Sequence, residues 1–228
     1  LNPDHPVLSM VGSETTSSDS RKVAHTTPMK SLEKTYDLGT LLKWIKREQV
    51  VATGKIDGIS LSLTYSNSRL EIAKTRGNGL RGEDVTEKIS WVNDCPNSLQ
   101  PQRLTSLPST IEIRGELYCT NEQFTKLAKL MSELDLEPPT SARNIVAGIV
   151  SRKRQGELSR FFNFSAFDIL FEGSQKELKT EERKFQLLRQ LGFTTPDAKN
   201  LTSEAEVKEY INEAQSDFAK SDINFDGI

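Results

Sequence analysis

Lys55, in Lys55-Ile56-Asp57-Gly58, lies between two strand-like runs, where a side chain can be held rigidly at a sheet edge. A primary amine so placed can act as a nucleophile toward phosphorus. A lysine amine attacks only when neutral, so burial or neighbouring cations must lower its pKa from about 10.4, or its proton must be removed in place. Attack on the α-phosphate of a nucleotide would leave a phosphoramidate that stores the energy of the cleaved anhydride. Taken alone, the tetrapeptide is more often a surface lysine ahead of an Asp-Gly turn.

Several elements must position that lysine. Helical spacing of Leu38, Leu41, Leu42 and Ile45 predicts a helix from about residue 37. Residues 49–53 read as a short strand running into Gly54-Lys55. Alternation over 61–65, a break at Ser66-Asn67-Ser68 and resumption over 70–73 predict a hairpin. Gly77, Gly79 and Gly82 mark a loop of unusual backbone shape, and a helix is expected from Glu83-Asp84 to about Trp91. Farther on, the pattern predicts a strand over 111–118, a helix over 122–134 capped by Asn121, a helix over 142–154 and an aromatic-rich strand over 161–171. Two amphipathic helices follow, over 179–191 and 203–219, separated by 192–200. Residues 1–30 look irregular, with a Ser/Thr/Glu loop or linker from Ser13 to Ser20. Strands mixed with segregated helices make the expected class α+β, with mainly antiparallel sheets flanked by helices.

Composition narrows the function classes. The 228 residues are 35% hydrophobic and 27% charged, enough for a real core. No apolar run approaches the 18 or so residues of a membrane span, and the start lacks a signal-peptide pattern. Cys95 and Cys119 have no ligand spacing around them, which argues for a reducing, cytoplasmic setting without disulfides or structural zinc. With a net charge of -2, any contact with nucleic acid must come from a local basic patch.

Six motifs follow one another along the chain: His25-Thr26-Thr27-Pro28-Met29-Lys30-Ser31-Leu32, Lys55-Ile56-Asp57-Gly58, Thr75-Arg76-Gly77-Asn78-Gly79, Gly82-Glu83-Asp84-Val85-Thr86, Glu112-Ile113-Arg114-Gly115-Glu116 and Ala142-Arg143-Asn144. In this order and spacing they resemble the adenylation domain of NAD-dependent DNA ligases, from about His5 to Ile228. The resemblance implies a nucleotidyltransferase fold, the ATP-grasp-like ligase core. It implies residues 1–36 as a connector following an N-terminal helical domain, and 37–228 as the adenylation domain, cut short at its C-terminal end. On that pattern the chain is a fragment, or one subunit of a split enzyme, with little ligation activity of its own.

Residue roles follow from the same resemblance. Lys55, with Asp57 beside it, would take AMP from NAD, release nicotinamide mononucleotide and later pass AMP to a 5′-phosphate at a nick in double-stranded DNA. Arg76 would reach the phosphates with its planar fork. Glu116 would accept the ribose hydroxyls, Ser31 and Leu32 would line the nucleotide pocket, and Phe167 would stack on adenine. Such a stack contributes about 1–3 kcal/mol per base. Arg143 and Arg152 would hold DNA phosphates. Mg²⁺ would neutralise charge, with Glu116 and Asp226 as its nearest acids. Each residue also has a plainer reading as a solvated loop or strand side chain, or for Phe167 a core aromatic.

Three departures from the family pattern stand out. Thr53 occupies the place where a glutamate reads adenine, Asn78 replaces an aspartate, and Ile145 to Arg152 replaces an alanine-rich segment. A divergent bacterial, viral or phage member is therefore expected. Two other readings stay open: an ATP-dependent RNA or DNA ligase, and a non-catalytic nucleic-acid-binding module on the same fold.

Overall fold

The computed structural model describes residues 22–46, 48–99, 107–137, 139–152, 156–171 and 178–228. The linker expected at 13–20 and the last residues of the helix expected over 142–154 lie outside them.

A four-stranded antiparallel sheet forms the centre, in the order β5-β4-β7-β8. Its members are β4 (Ile59–Ser66), β5 (Arg69–Thr75), β7 (Thr110–Tyr118) and β8 (Asn163–Phe171). The β4–β5 hairpin closes through Asn67 and Ser68, both at positive φ (48° and 65°). That backbone matches the right-handed twist of the flanking strands. Leu61, Leu63, Ile113, Leu117, Phe164 and Ile169 project from one side of the sheet into the main core. Helices α3 (Asn121–Glu133), α4 (Ala142–Ser151) and α5 (Glu181–Gln190) cover that core through Leu127, Met131, Ile145, Ile149 and Leu188. The class is α+β with antiparallel pairing, as the pattern predicts.

Three two-stranded ribbons surround the sheet. β1 (Lys22–Ala24) pairs with β6 (Arg81–Glu83), β2 (Val50–Thr53) with β9 (Ala198–Leu201), and β3 (Lys55–Ile56) with β10 (Phe225–Gly227). None of the three pairings is visible in the local pattern. Residues 22–24 read as irregular, 81–83 as a loop running into a helix, and 198–201 as a spacer. The second core cluster joins α1 (Leu38–Ile45) and α6 (Glu204–Lys220) over the β2–β9 ribbon through Ile45, Leu201 and Val207.

Helix boundaries shift for identifiable reasons. Helix α3 is capped by Thr120 rather than Asn121: the Thr120 hydroxyl accepts from the Gln123 N–H, and the Gln123 side chain reaches back to the Thr120 N–H. That reciprocal capping box satisfies two orphan donors at once. The short helix α2 (Thr86–Ile89) begins after Asp84, whose carboxylate accepts from the Thr86 N–H at 3.0 Å. A 3-10 turn, Gly156–Phe161, takes up Phe161, the residue expected to begin strand β8, which starts instead at Asn163.

Candidate active site

Strand β3 and the turn after it place Lys55 and Asp57. At Gly58 a Cβ would lie 2.2 Å from the Leu117 carbonyl oxygen, so only glycine lets this turn pass against β7. Opposite it, the loop after β5 turns at Gly77, with φ +56° and a would-be Cβ 2.0 Å from the Arg81 carbonyl oxygen. Asn78 completes that loop: its Oδ1 accepts from the Leu80 and Arg81 N–H groups at 3.0 and 2.9 Å. A carboxylate could accept the same two bonds, so asparagine in place of aspartate preserves the loop.

Between these elements lies a cleft of about 780 Å³. Its size suits a nucleotide-scale ligand. Lys55, Arg76, Glu116, Arg143, Phe167, Thr53 and Leu32 all line it. Lys55 is half exposed (48%), and its Nζ donates to both Asp226 oxygens at 2.5 and 2.6 Å. That pair depends on β10 lying against β3, with Phe225 stacked on Phe218 at 4.2 Å between ring centroids. Asp57 accepts from Arg143 at 2.7 Å. Arg143 projects from the first turn of α4, which Ser141 caps by accepting from the Asn144 N–H.

Glu116 faces the cleft from β7 directly opposite Ser60 of β4, whose hydroxyl donates to Oε2 at 2.7 Å. Burial pushes the Glu116 carboxyl above its ordinary value; Ser60, then the cations Lys55, Arg143 and Arg76, pull it back. A carboxyl raised in the folded chain binds its proton more tightly there than in the unfolded chain. Stability is therefore lost as pH rises from the unfolded value of 4.5. Glu116→Gln is expected to raise the urea midpoint at pH 7, with the gain disappearing below about pH 4. Equal midpoints for the two proteins at pH 7 would contradict this.

Behind the cleft runs a polar layer that ties down residues 25–30. Arg114 is buried and donates to the Thr27 and Pro28 carbonyls at 2.6 and 3.3 Å and to Glu112 at 2.7 Å. Ser62 donates to the same Glu112 oxygen at 2.8 Å. His25 Nε2 sits 3.1 and 3.2 Å from the Thr75 and Arg76 carbonyls, which makes it a donor to the backbone that carries Arg76. Burial and then Lys74 lower the His25 pKa, in keeping with a neutral ring. Met29, Lys30 and Leu32 emerge from this strap to line the cleft.

Not every expected residue joins the cleft wall. Ser31 is exposed and does not line it, and Arg152 is a half-buried residue at the C-cap of α4. Asp57 and Asp226 stand one contact behind the wall, through Arg143 and Lys55. Among the described residues no group of three or more His, Cys, Asp or Glu side chains could hold a metal ion. Mg²⁺ beside phosphates usually takes only one or two carboxylates, with substrate oxygens and water completing its shell, and Glu116 is such a carboxylate on the cleft wall. Sequence reasoning passed over Ser60, His25, Arg114, Asp168 and Lys184. For Arg114 and His25 the signal was available, since both lie inside quoted motifs.

Residues 17–228 match the family model described as NAD-dependent DNA ligase adenylation domain. A DNA ligase of Herpetosiphon aurantiacus is 34% identical over 220 residues, covering 91% of this chain and 32% of the relative. One of Leuconostoc mesenteroides is 31% identical over 238 residues, covering 99% and 34%. One of Borrelia garinii subsp. bavariensis is 36% identical over 179 residues, covering 75% and 25%. The chain thus spans about a third of the length of such curated relatives. A solved structure, Pmar-Lig_Pre, superposes with a TM-score of 0.52 at 13% identity, covering 85% of this chain and 40% of that one, and shares the fold.

Proposed function

The chain belongs to the NAD-dependent DNA ligase adenylation domain family, and from that premise we propose that Lys55 attacks the α-phosphorus of NAD to form lysyl-AMP. The observation that carries the reading is the cleft itself: its lining brings together an amine, Arg76 and Arg143 with an aromatic side chain, Phe167. In the step, the P–N bond to Lys55 forms as the P–O bond to nicotinamide mononucleotide breaks. The leaving phosphate keeps the bonding electron pair. Lys55 loses two protons between ammonium and phosphoramidate: Asp226, already in contact with Nζ, is placed to receive the first, and solvent water takes the second. The ion pair then opens and frees the amine to turn into the cleft.

Arg76 and Arg143 provide positive charge where the phosphates and leaving group sit. Asp57 holds Arg143 in that position, Glu116 accepts ribose hydroxyls, Leu32 and Thr53 border the base, and Phe167 stacks on it. Ser31 and Arg152 act outside the cleft wall, on the strap and toward DNA respectively. A bound Mg²⁺ would neutralise phosphate charge beside Glu116. In the full-length ligase, AMP then passes to a 5′-phosphate in nicked double-stranded DNA, in the cytoplasm. In this reading the adenylating unit begins ahead of the expected boundary at 37, because β1 and the strap after it belong to the cleft.

Mass spectrometry tests the reading. Incubation of the chain, joined to the flanking domains of its ligase, with NAD and Mg²⁺ is expected to add one AMP to the peptide containing Lys55. ATP is expected to add none. AMP addition from ATP alone would transfer the chain to the ATP-dependent class, and no addition from either would favour a non-catalytic module.

A further inference from the structure

Strand β8 departs from simple alternation at the cleft. A bulge opposite Arg114 and Gly115 leaves Phe167 without a partner on β7. As a result Ala166 and Ile169 both pack in the core, while the two residues between them, Phe167 and Asp168, both line the cleft. Bulges of this kind re-aim side chains beside functional sites. Phe167 shows its ring to the opening, 36% exposed. Beside it, Asp168 Oδ1 accepts from the Ile169 N–H and from Lys184 Nζ, each at 2.9 Å.

Lys184 comes from α5 and also binds Glu181 at 2.9 Å, with its side chain only 20% exposed. An ammonium has three hydrogens, and these two carboxylates take two of them. Asp168 Oδ2 has no hydrogen-bond partner among the described residues. An aromatic face, one spare cationic donor and one spare anionic acceptor therefore stand side by side. A flat ring whose edge offers an acceptor next to a donor fits all three. Adenine has that edge, with N1 as acceptor and the 6-amino group as donor. Hypoxanthine and guanine reverse it, with N1–H as donor and O6 as acceptor.

We propose that Asp168 and Lys184 are the residues that select adenine in this cleft, Lys184 donating to N1 and Asp168 accepting from the 6-amino group while Phe167 stacks on the ring. The assignment rests on the nucleotide-binding reading above. It supplies a charged pair for base recognition where Thr53 offers only a hydroxyl. Because Lys184 is anchored by Glu181 and Asp168 before any ligand arrives, little side-chain freedom is lost on binding. A mismatched base would leave the buried donor and acceptor facing like groups, which is where hydrogen-bonding sites discriminate most strongly.

Calorimetric titration of the chain with AMP, IMP and GMP tests the assignment. The wild type is expected to bind AMP at least about tenfold more tightly than IMP or GMP, since mismatching a charge-assisted bond costs that much or more. Asp168→Asn, which adds an amide donor, and Lys184→Met, which keeps the stem but removes the donor, are each expected to bring AMP and IMP within about threefold of each other. Phe167→Ala is expected to weaken both nucleotides alike. Retained IMP binding by the first two variants shows that they are folded. If the wild type binds AMP but does not prefer it, or if both variants keep the full preference, the selectivity assignment is wrong while the nucleotide cleft stands. If the wild type binds none of the three, the cleft reading itself falls.

Discussion

Lys55→Arg is expected to abolish covalent AMP transfer while leaving the fold intact. The guanidinium cannot be deprotonated in a protein and so cannot act as a nucleophile, yet it keeps the charge and can still pair with Asp226. The loss is therefore expected to exceed about a thousandfold, equivalent to about 4 kcal/mol of barrier. Stability should hardly move, because the Lys55–Asp226 pair is substantially exposed, at 48% and 38%, and exposed pairs contribute only about 0–1 kcal/mol. AMP binding without bond formation should also survive, because Phe167, Arg76 and Glu116 are untouched. Two measurements check this: the intact mass after incubation of the full-length ligase with NAD, and the AMP affinity of the same variant. Continued AMP addition at another lysine would remove Lys55 from the mechanism.

Legibility in the sequence divides by the range of the interaction. Lys55, Arg76, Glu116 and Phe167 could be assigned to one site because of the resemblance to the family, whereas each local pattern taken alone describes only its own segment. The Asn67-Ser68 turn was likewise readable, since a two-residue hairpin loop has its own chemistry. What escaped depends on partners far along the chain. Of the β2–β9 and β3–β10 ribbons only β2 was readable as a strand; the partner segments 198–201 and 225–227 are too short to announce one, so the contact between Lys55 and Asp226 could not be foreseen as a contact. Ser60 faces Glu116 only by virtue of the β4–β7 register. Simple alternation would put Phe167 and Ile169 on one face of β8, and the bulge separates them. For α3 the local signal was present and misread, because both Thr120 and Asn121 make good caps. Gln123, three residues after Thr120, was the residue that decides between them.

Arg114→Leu is expected to be the most destabilising of the substitutions considered. Arg114 and Glu112 have side chains only 10% and 11% exposed, and their 2.7 Å bond lies in the polar layer beneath the strap. Removing the guanidinium leaves the Glu112 carboxylate buried with the Ser62 hydroxyl as its remaining partner, and takes the donor from the Thr27 and Pro28 carbonyls. Breaking a buried pair from one side costs about 3–5 kcal/mol. For a chain of this size, that lowers the melting temperature by roughly 10 °C. The strap should also loosen between its ends, because Thr27 and Pro28 lose their donor while only His25 and Met29 keep theirs, through N–H bonds to Leu80 and Gly79, both 2.9 Å, and the His25 ring. With Met29, Lys30 and Leu32 among the residues that line the cleft, AMP affinity should fall together with stability. The sign of the coupling is the sharper test. In Glu112→Leu/Arg114→Leu the carboxylate that the single substitution strands is gone, so the double variant should melt above Arg114→Leu despite carrying one more substitution. If the double variant instead melts at or below the single one, the cost of Arg114→Leu lies in lost packing and backbone bonds, and the stranded carboxylate is not its source.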